Sequence, residues 1–299
     1  MGEILTPLLF ADFLLAEARP SISLLQAIVI GLVQGLTEFL PISSTAHVKV
    51  IPVILGWGDP GVTFTAVIQL GSIAAIVWYF WDDLTQVSRN MVKAAYQKQF
   101  SSPDFQLGFG IIVGTVPIVF FGLLIKTFIP NYDESPLRST VAIAIASIVM
   151  ALLLALAEQI GQRQRGFAKL GLWDGILMGC AQALALIPGV SRSGSTLTAG
   201  LFMGLERSTA ARFSFLLGVP AITLAGLVEL QDLITSPDAG TGWLPLAGGL
   251  IAAVVSSYLA IAWLIQFLKT HSTWIFVWYR LGFGVAILAA VSLRLMQNV

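Results

Sequence analysis

Residues 34–47 read QGLTEFLPISSTAH, and they stand out in a chain that is otherwise largely apolar. They bring together one carboxylate, Glu38, several hydroxyl side chains and one of only two histidines in the protein. The apolar run 27–33 leads up to them, and Pro41 interrupts the pattern because a proline inside a helix removes a backbone hydrogen bond. We therefore predict a short apolar helix that ends near Glu38, followed by a bend.

A second stretch, residues 182–195, reads QALALIPGVSRSGS and has the same organisation. Pairs of identical residues are 148 positions apart: Gly31 and Gly179, Gln34 and Gln182, Ser43 and Ser191. The prolines Pro41 and Pro188 are 147 apart. This constant spacing predicts an internal repeat with one bend in each half.

The composition is typical of a protein that lies in a membrane. Of the 299 residues, 57% are hydrophobic and only 11% are charged, and the mean hydropathy is +0.86. A soluble domain has about 25% charged residues. Long charge-free runs match the roughly 20 residues that a helix needs to cross a bilayer, whereas a membrane β-barrel would alternate in polarity. We predict an all-α integral membrane protein. Its zero net charge and lack of a basic run exclude nucleic acid as a partner.

Both halves are predicted to contain a broken pair of short helices followed by three transmembrane helices. The first half has short pieces at 22–37 and 48–57 and full spans at 62–81, 105–125 and 139–157. The second half has short pieces at 172–187 and 196–205 and full spans at 213–230, 243–268 and 274–296. The predicted units are an N-terminal extension, 1–21, a first repeat, 22–157, and a second repeat, 158–299, which together form one membrane domain.

Three full spans in each half would turn the second repeat upside down relative to the first, provided that each broken pair is re-entrant. This inverted-repeat arrangement is common in transporters. The polar loops predicted at 82–104, 158–171, 206–212 and 269–273 would then share one side of the membrane, and together they hold nine Lys or Arg residues. The opposite loops, 129–137 and 231–242, hold none, so the positive-inside rule places the first set in the cytoplasm.

The two bends predict a phosphate site inside the membrane. A charged side chain at the bilayer centre costs roughly 2.5–3.5 kcal/mol, so Glu38 and Arg192 need a function or a partner there. The start of a helix after a bend offers free N–H groups to an anion, and the planar guanidinium of arginine matches a phosphate. The expected anion ligands are Gln34, Ser43, Thr45, Gly189, Ser191, Arg192, Ser193 and Gly194.

Ser44 and His47 are three residues apart, which places them on one helix face if the second short helix begins near Ser43. A hydroxyl beside an imidazole is a minimal nucleophile and base. Glu38 could orient His47, bind a divalent cation or carry a proton. The chemistry predicted from these residues is phosphoryl or acyl transfer.

Purely structural interpretations compete with each of these roles. The serines could cap helices, Glu38 and Arg192 could form a structural ion pair, and Gln34 could bond a neighbouring helix. Lys49 could assist an anion or extend outward. Arg280 lies near Trp278 and Tyr279, and this position predicts that it extends to the cytoplasmic interface.

The motifs GLTEFLPISSTAH and PGVSRSG resemble the two signature motifs of bacterial undecaprenyl-diphosphate phosphatases, the bacitracin-resistance family. Residues 67–75, VIQLGSIAA, and 213–220, FSFLLGVP, also resemble that family, so the likeness covers nearly all of 22–296. The resemblance implies hydrolysis of undecaprenyl diphosphate to undecaprenyl phosphate and phosphate. That reaction recycles the lipid carrier of cell-wall synthesis and confers bacitracin resistance.

The resemblance also implies a site and a location. Its catalytic residues fall on Glu38, Ser44, His47 and Arg192, with Ser44 attacking phosphorus and His47 acting as base. It implies a divalent cation, Mg²⁺ or Ca²⁺, with Glu38 as metal ligand; the family's upstream acid-or-amide position falls on Gln34, which is uncharged. The expected partner is a long-chain prenyl diphosphate in the bacterial inner membrane, bound in a cleft that opens outward, and a homodimer is possible.

The main alternative is a lipid or anion transporter or flippase, because inverted repeats and broken helices are typical of transporters. Release of phosphate from a prenyl diphosphate would distinguish the phosphatase from the transporter. An intramembrane serine protease is disfavoured, since the catalytic Ser and His of that class lie on separate helices, whereas Ser44 and His47 are only three residues apart.

Overall fold

The structure is a computed structural model that describes residues 22–298 apart from 59, 130–131, 133–134 and 236–241. The predicted extension, 1–21, lies outside the described residues, as does much of the predicted loops 129–137 and 231–242. The described chain contains eleven α-helices and no β-strand. The helices are α1 Leu24–Phe39, α2 Ser44–Ile54, α3 Val62–Tyr79, α4 Trp81–Tyr96, α5 Pro103–Phe128, α6 Thr140–Ile160, α7 Leu172–Ala183, α8 Arg192–Phe202, α9 Arg207–Thr235, α10 Trp243–Thr270 and α11 Trp274–Ser292.

Five helices, α5, α6, α9, α10 and α11, are long and apolar enough to cross a membrane, and α3 with α4 forms a sixth candidate that is bent by 67°. The helices α1, α2 and α7 are apolar but shorter. The prediction of an α-helical, multi-pass membrane protein is confirmed.

Two bends interrupt the short helices where the prolines predicted them. The first bend, residues 40–43, begins with extended backbone at Leu40, because a residue that precedes proline is driven out of the helical region. The second bend, residues 184–191, contains a single 3-10 turn followed by Pro188. Both bends end on a serine with left-handed backbone: φ is 77° at Ser43 and 70° at Ser191. The helices α2 and α8 start immediately afterwards.

The polar segments 82–104 and 206–212 are largely helical, so the prediction of loops was wrong there. Most of the first segment belongs to α4, in which Asp82 and Asp83 occupy the first turn and Lys93 the last, as the helix dipole favours. The second segment is the start of α9, which begins at Arg207. The charged residues in these segments lie within helices, so they do not show where the helices end.

Glycines allow the two short helices before the bends to pack closely against long neighbours. A Cβ atom at Gly31 of α1 would overlap the backbone of Gly249 in α10, and one at Gly179 of α7 would overlap that of Gly114 in α5. Small residues are the usual means of close helix contact in membranes. Each of these helices therefore packs against a long helix of the other predicted repeat, which brings the two bends together.

A buried carboxylate ties the helices together at the end of α6 remote from the bends. Glu158 is bound by the guanidinium groups of Arg163 and Arg207, and it accepts hydrogen bonds from the backbone N–H and the hydroxyl of Thr273. These contacts join α6, α9 and the connection before α11. They fix the relative positions of three helices that also contribute residues around the cleft and the bends.

Candidate active site

The two bends line one cleft with a volume of about 310 Å³. The first half of the chain contributes Glu38 and residues 43–45, and the second contributes residues 185–189, Ser191 and Arg192. The remaining lining residues are Gln69, Ile118, Tyr132, Arg138, Ala221, Ile222 and Ala225. Of the predicted site residues, Gln34, His47, Ser193 and Gly194 do not line the cleft.

Glu38 connects the two bends. Its Oε2 atom accepts a hydrogen bond of 2.6 Å from the Ser44 hydroxyl and one of 3.1 Å from the side-chain amide of Gln34. Its Oε1 atom lies 3.3 Å from Nη2 of Arg192. The structure thus brings together the carboxylate, the hydroxyl and the guanidinium that sequence analysis selected from positions 154 residues apart.

Arg192 is the first residue of α8, as Ser44 is the first residue of α2. Its guanidinium lies against the backbone of Gly218 in α9, where an added Cβ atom would overlap Nη1. This Nη1 atom is buried and has no hydrogen-bond partner among the residues that the structure describes. One amino group of Arg192 is therefore paired with Glu38, whereas the other packs against Gly218 without a hydrogen-bond partner among the described residues.

The predicted pair of Ser44 and His47 is not formed. Nδ1 of His47 lies 2.7 Å from the carbonyl oxygen of Ser43, and Nε2 lies 2.7 Å from the hydroxyl of Tyr279. The imidazole stacks on Phe283, with 4.3 Å between the ring centroids, and only 1% of the residue is exposed. The spacing of three residues did not bring the pair together, because the Ser44 hydroxyl binds Glu38 and the His47 imidazole binds Tyr279 of α11.

The serine side chains at the two bends differ in what they bind. Ser191 accepts a hydrogen bond from the N–H of Gly194, so it caps α8, and the hydroxyl of Ser193 donates to the carbonyl oxygen of Leu40. The predicted anion ligands Ser193 and Gly194 thus contact protein atoms. Ser43, in contrast, makes no side-chain cap on α2. The first N–H groups of α2 are therefore not occupied by that serine.

The prediction that Arg280 extends to the cytoplasmic interface was wrong. Its side chain has no exposed surface and connects both bends. It donates to the carbonyl oxygen of Pro41 at 3.0 Å, to that of Gly189 at 2.7 Å, to that of Val190 at 3.0 Å and to that of Ser147 at 3.2 Å. The neighbouring aromatic residues suggested a membrane interface, but the high cost of an intramembrane charge was the better signal of a buried role.

The family described as "Bacitracin resistance protein BacA" matches residues 27–286. The chain belongs to the BacA family.

Similar proteins come from cyanobacteria. A protein of Nostoc sp. (strain PCC 7120) is 66% identical over 92% of this chain and 86% of its own length. One of Synechocystis sp. (strain PCC 6803) is 64% identical over 91% of this chain and 84% of its own. One of Synechococcus sp. (strain PCC 6301) is 63% identical over 97% of both. All three are named undecaprenyl-diphosphatase.

The sequence analysis of this BacA-family chain missed several residues of the cleft. Gln69 of α3 lines it from a span that was interpreted only as an apolar helix. Arg138 lies one residue beyond the predicted loop 129–137, which contains no basic residue, so the analysis of that loop did not include it. The carbonyl oxygen of Arg138 accepts a hydrogen bond of 2.9 Å from Nζ of Lys49, and the hydroxyl of Tyr132 donates to the carbonyl oxygen of Leu186 at 2.7 Å. These contacts hold the segment before α6 across the cleft.

The side chains of the cleft do not form a metal site by themselves. Among the described residues, no group of three or more His, Cys, Asp or Glu side chains is close enough to hold an ion. Glu38 is the single carboxylate among the described residues that line the cleft, and both of its oxygen atoms already have partners. A hard cation such as Mg²⁺ prefers several oxygen ligands, which here would have to come from a substrate and from water.

Proposed function

We propose that this protein hydrolyses undecaprenyl diphosphate to undecaprenyl phosphate and phosphate. The observation that carries the proposal is the hydrogen bond of 2.6 Å from the Ser44 hydroxyl to a carboxylate whose other oxygen is held by Arg192. A nucleophile, a proton acceptor and a phosphate-binding cation thus share one cleft, in a family whose relatives bear the name undecaprenyl-diphosphatase.

The terminal phosphate would bind at the start of α2. Ser43 does not cap this helix, so the first N–H groups can receive an anion, and the helix dipole favours negative charge there. Nη1 of Arg192, which has no partner among the described residues, supplies a charged donor. Thr45 and Ser44 line the same part of the cleft. The apolar residues of the lining, such as Ile118 and Ile222, would face the start of the prenyl chain.

Ser44 would attack the terminal phosphorus while Glu38 removes the hydroxyl proton. A bond forms between Oγ and phosphorus, the bond from phosphorus to the bridging oxygen breaks, and undecaprenyl phosphate leaves. Glu38 passes this proton to the leaving undecaprenyl phosphate and is a carboxylate again. Water then attacks the phosphoserine, Glu38 accepts the proton of that water and passes it to Oγ as the bond between Oγ and phosphorus breaks, and phosphate leaves with Ser44 restored. Such a transfer depends mainly on positioning and charge stabilisation, which the contacts of Glu38 and Arg192 provide.

His47 would act as a positioning residue rather than as the base. Its two ring nitrogens bind the carbonyl oxygen of Ser43 and the hydroxyl of Tyr279, so it links the first bend to α11. The bend needs this support because Ser43 adopts a φ of 77°, which costs a non-glycine residue free energy. A fixed Ser43 in turn fixes the hydroxyl of Ser44.

The predicted Mg²⁺ or Ca²⁺ would accompany the diphosphate, whose oxygen atoms supply the ligands that the protein lacks. Of the lining residues that the structure describes, Glu38 is the one carboxylate that could add to them. When bound, the ion would lower the negative charge on the phosphates.

We further propose that the chain forms two inverted repeats with re-entrant bends. Support comes from the matching left-handed serines, 148 positions apart, and from the packing of α1 on α10 and of α7 on α5. The distribution of basic residues favours a cleft that opens to the outer side of the bacterial inner membrane. Phosphate release there would recycle the carrier lipid of cell-wall synthesis and protect against bacitracin.

The proposal is tested by measuring phosphate release from a long-chain prenyl diphosphate by the purified protein in detergent, with and without a chelator. The wild type should release phosphate, and Ser44→Ala should reduce the rate by at least roughly 100-fold because the nucleophile is lost. Ser147→Ala is the matched control: its hydroxyl is buried without a partner among the described residues, so its removal should not matter. A wild type that moves the lipid across a vesicle membrane but releases no phosphate would favour the transporter instead.

A further inference from the structure

The part of the cleft that the two bends do not form has its own polar groups. Apart from Glu38 and the bends with the helix starts that follow them, the described residues of the lining are four apolar side chains and three polar ones: Gln69, Tyr132 and Arg138. The hydroxyl of Tyr132 already donates to the carbonyl oxygen of Leu186. Among the described residues of this wall, Gln69 and Arg138 are two polar side chains that the proposed reaction does not use.

Gln69 is a polar residue in the middle of the apolar helix α3. Its amide makes no hydrogen bond to any residue that the structure describes, although it faces a cleft in the membrane-spanning part of the chain. The residue 148 positions later is Leu217, which is fully buried and apolar, so the internal repeat does not account for an amide here. An amide donor in such a position suits an oxygen atom of a ligand.

Arg138 is fixed relative to both bends. Its carbonyl oxygen is held by Lys49, which lies on the same helix as Ser44. Its guanidinium lies 5.8 Å from the ring centroid of Tyr132, whose hydroxyl is bound to the second bend. The side chain is therefore placed at the cleft by contacts to α2 and to residues 184–191.

We propose that Gln69 and Arg138 form a second phosphate subsite, which holds the phosphate group that is not attacked. This inference rests on the proposed function and specifies how its substrate is recognised. The attacked phosphate would bind the start of α2 and Arg192, but Arg192 also forms an ion pair with Glu38. A diphosphate brings a second charged group, for which a guanidinium and an amide donor are suitable ligands. The monophosphate product can fill only one subsite at a time, which favours its release.

The subsite is tested by competition. Hydrolysis of a prenyl diphosphate is followed by chromatographic separation of the prenyl monophosphate, with inorganic pyrophosphate or inorganic phosphate as inhibitor. In Arg138→Gln and in Gln69→Met, the inhibition constant for pyrophosphate should rise roughly 10- to 100-fold, which is the effect of losing a hydrogen bond to a charged group. The inhibition constant for phosphate should stay unchanged, because phosphate can bind beside Arg192. Arg138→Lys should give an intermediate value, since it keeps the charge but loses the planar fork.

Matched controls on α4 are Arg89→Gln and Gln86→Met, both at exposed positions away from the cleft, and neither should alter inhibition. Equal weakening of both inhibitors, or no change in either, would overturn the subsite. Calorimetry measures the binding of pyrophosphate without hydrolysis, so it tests the subsite even if the protein releases no phosphate. A wild type that binds pyrophosphate through Arg138 but releases no phosphate would support the subsite and overturn the hydrolysis.

Discussion

Replacing Arg280 by methionine keeps much of the side-chain length but removes all the donors with which this residue joins the two bends. Four backbone carbonyl groups lose a charged partner: those of Pro41, Ser147, Gly189 and Val190. A hydrogen bond from a charged donor contributes roughly 1.5–3 kcal/mol. The four do not add in full, because water and small backbone shifts recover part of the loss. Breaking such a buried network costs roughly 3–5 kcal/mol.

This loss should appear in both stability and activity. A protein of this size loses about 2–4 °C of Tm for each kcal/mol, so the thermal unfolding midpoint in detergent should fall by roughly 10 °C. Because both bends depend on Arg280, the Ser44 hydroxyl and the Arg192 guanidinium should also be misplaced. A misplacement of about 1 Å costs roughly 100-fold in rate. The assay is phosphate release from a prenyl diphosphate, together with unfolding followed by intrinsic fluorescence.

Arg280→Lys distinguishes a buried bridge from an arginine that extends to the interface. A single ammonium group cannot reach all four carbonyl groups in the geometry of a guanidinium, so the lysine variant should also be less stable and less active. Arg89→Met, at an exposed position of α4, is the control and should behave as the wild type. If Arg280→Met and Arg280→Lys both unfolded and turned over like the wild type, the bridging role would be refuted.

Three further predictions follow from the contacts described above. Glu38→Gln should lower kcat by roughly 100- to 10,000-fold because the proton acceptor of Ser44 is lost; a kcat near that of the wild type would assign the base elsewhere. Tyr279→Phe removes the hydroxyl that binds His47, which contributes roughly 1 kcal/mol, so kcat should fall about fivefold with an unchanged KM; a rise in KM alone would contradict a positioning role. Gly179→Ala should lower Tm by several degrees because its Cβ would overlap the backbone of α5, whereas Gly282→Ala, where nothing lies within 4 Å, should not; equal Tm values for the two variants would rule out the close packing of α7.

Several features of the protein were predictable because they depend on local sequence. The low charge content indicated a membrane protein, since burial in lipid requires apolar side chains wherever the chain lies. Proline at positions 41 and 188 predicted the two bends, because it removes a backbone donor in any context. The polar residues at the bends selected Glu38, Ser44 and Arg192, which the structure brings together. The two inverted repeats that the constant spacing of 148 residues predicts stay a prediction.

Charge content was a poorer guide to secondary structure. Residues 82–104 and 206–212 were predicted as loops because they are polar, yet most of them are helical. A helix at or beyond the membrane boundary satisfies its backbone internally whatever its side chains contact, so polarity reports the surroundings of a segment rather than its conformation.

The tertiary structure alone decided which polar groups bind one another. Ser43 and Ser191 occupy matching positions and have nearly the same φ, but only Ser191 caps its helix. His47 lies three residues from Ser44, yet its partners are a backbone carbonyl of the first bend and the hydroxyl of Tyr279, which lies 232 residues away. Periodicity specifies the face on which a side chain lies, whereas its partner depends on which distant helices approach that face. Long-range packing of α10 against α1 and of α11 against the bends therefore determined the geometry of the site.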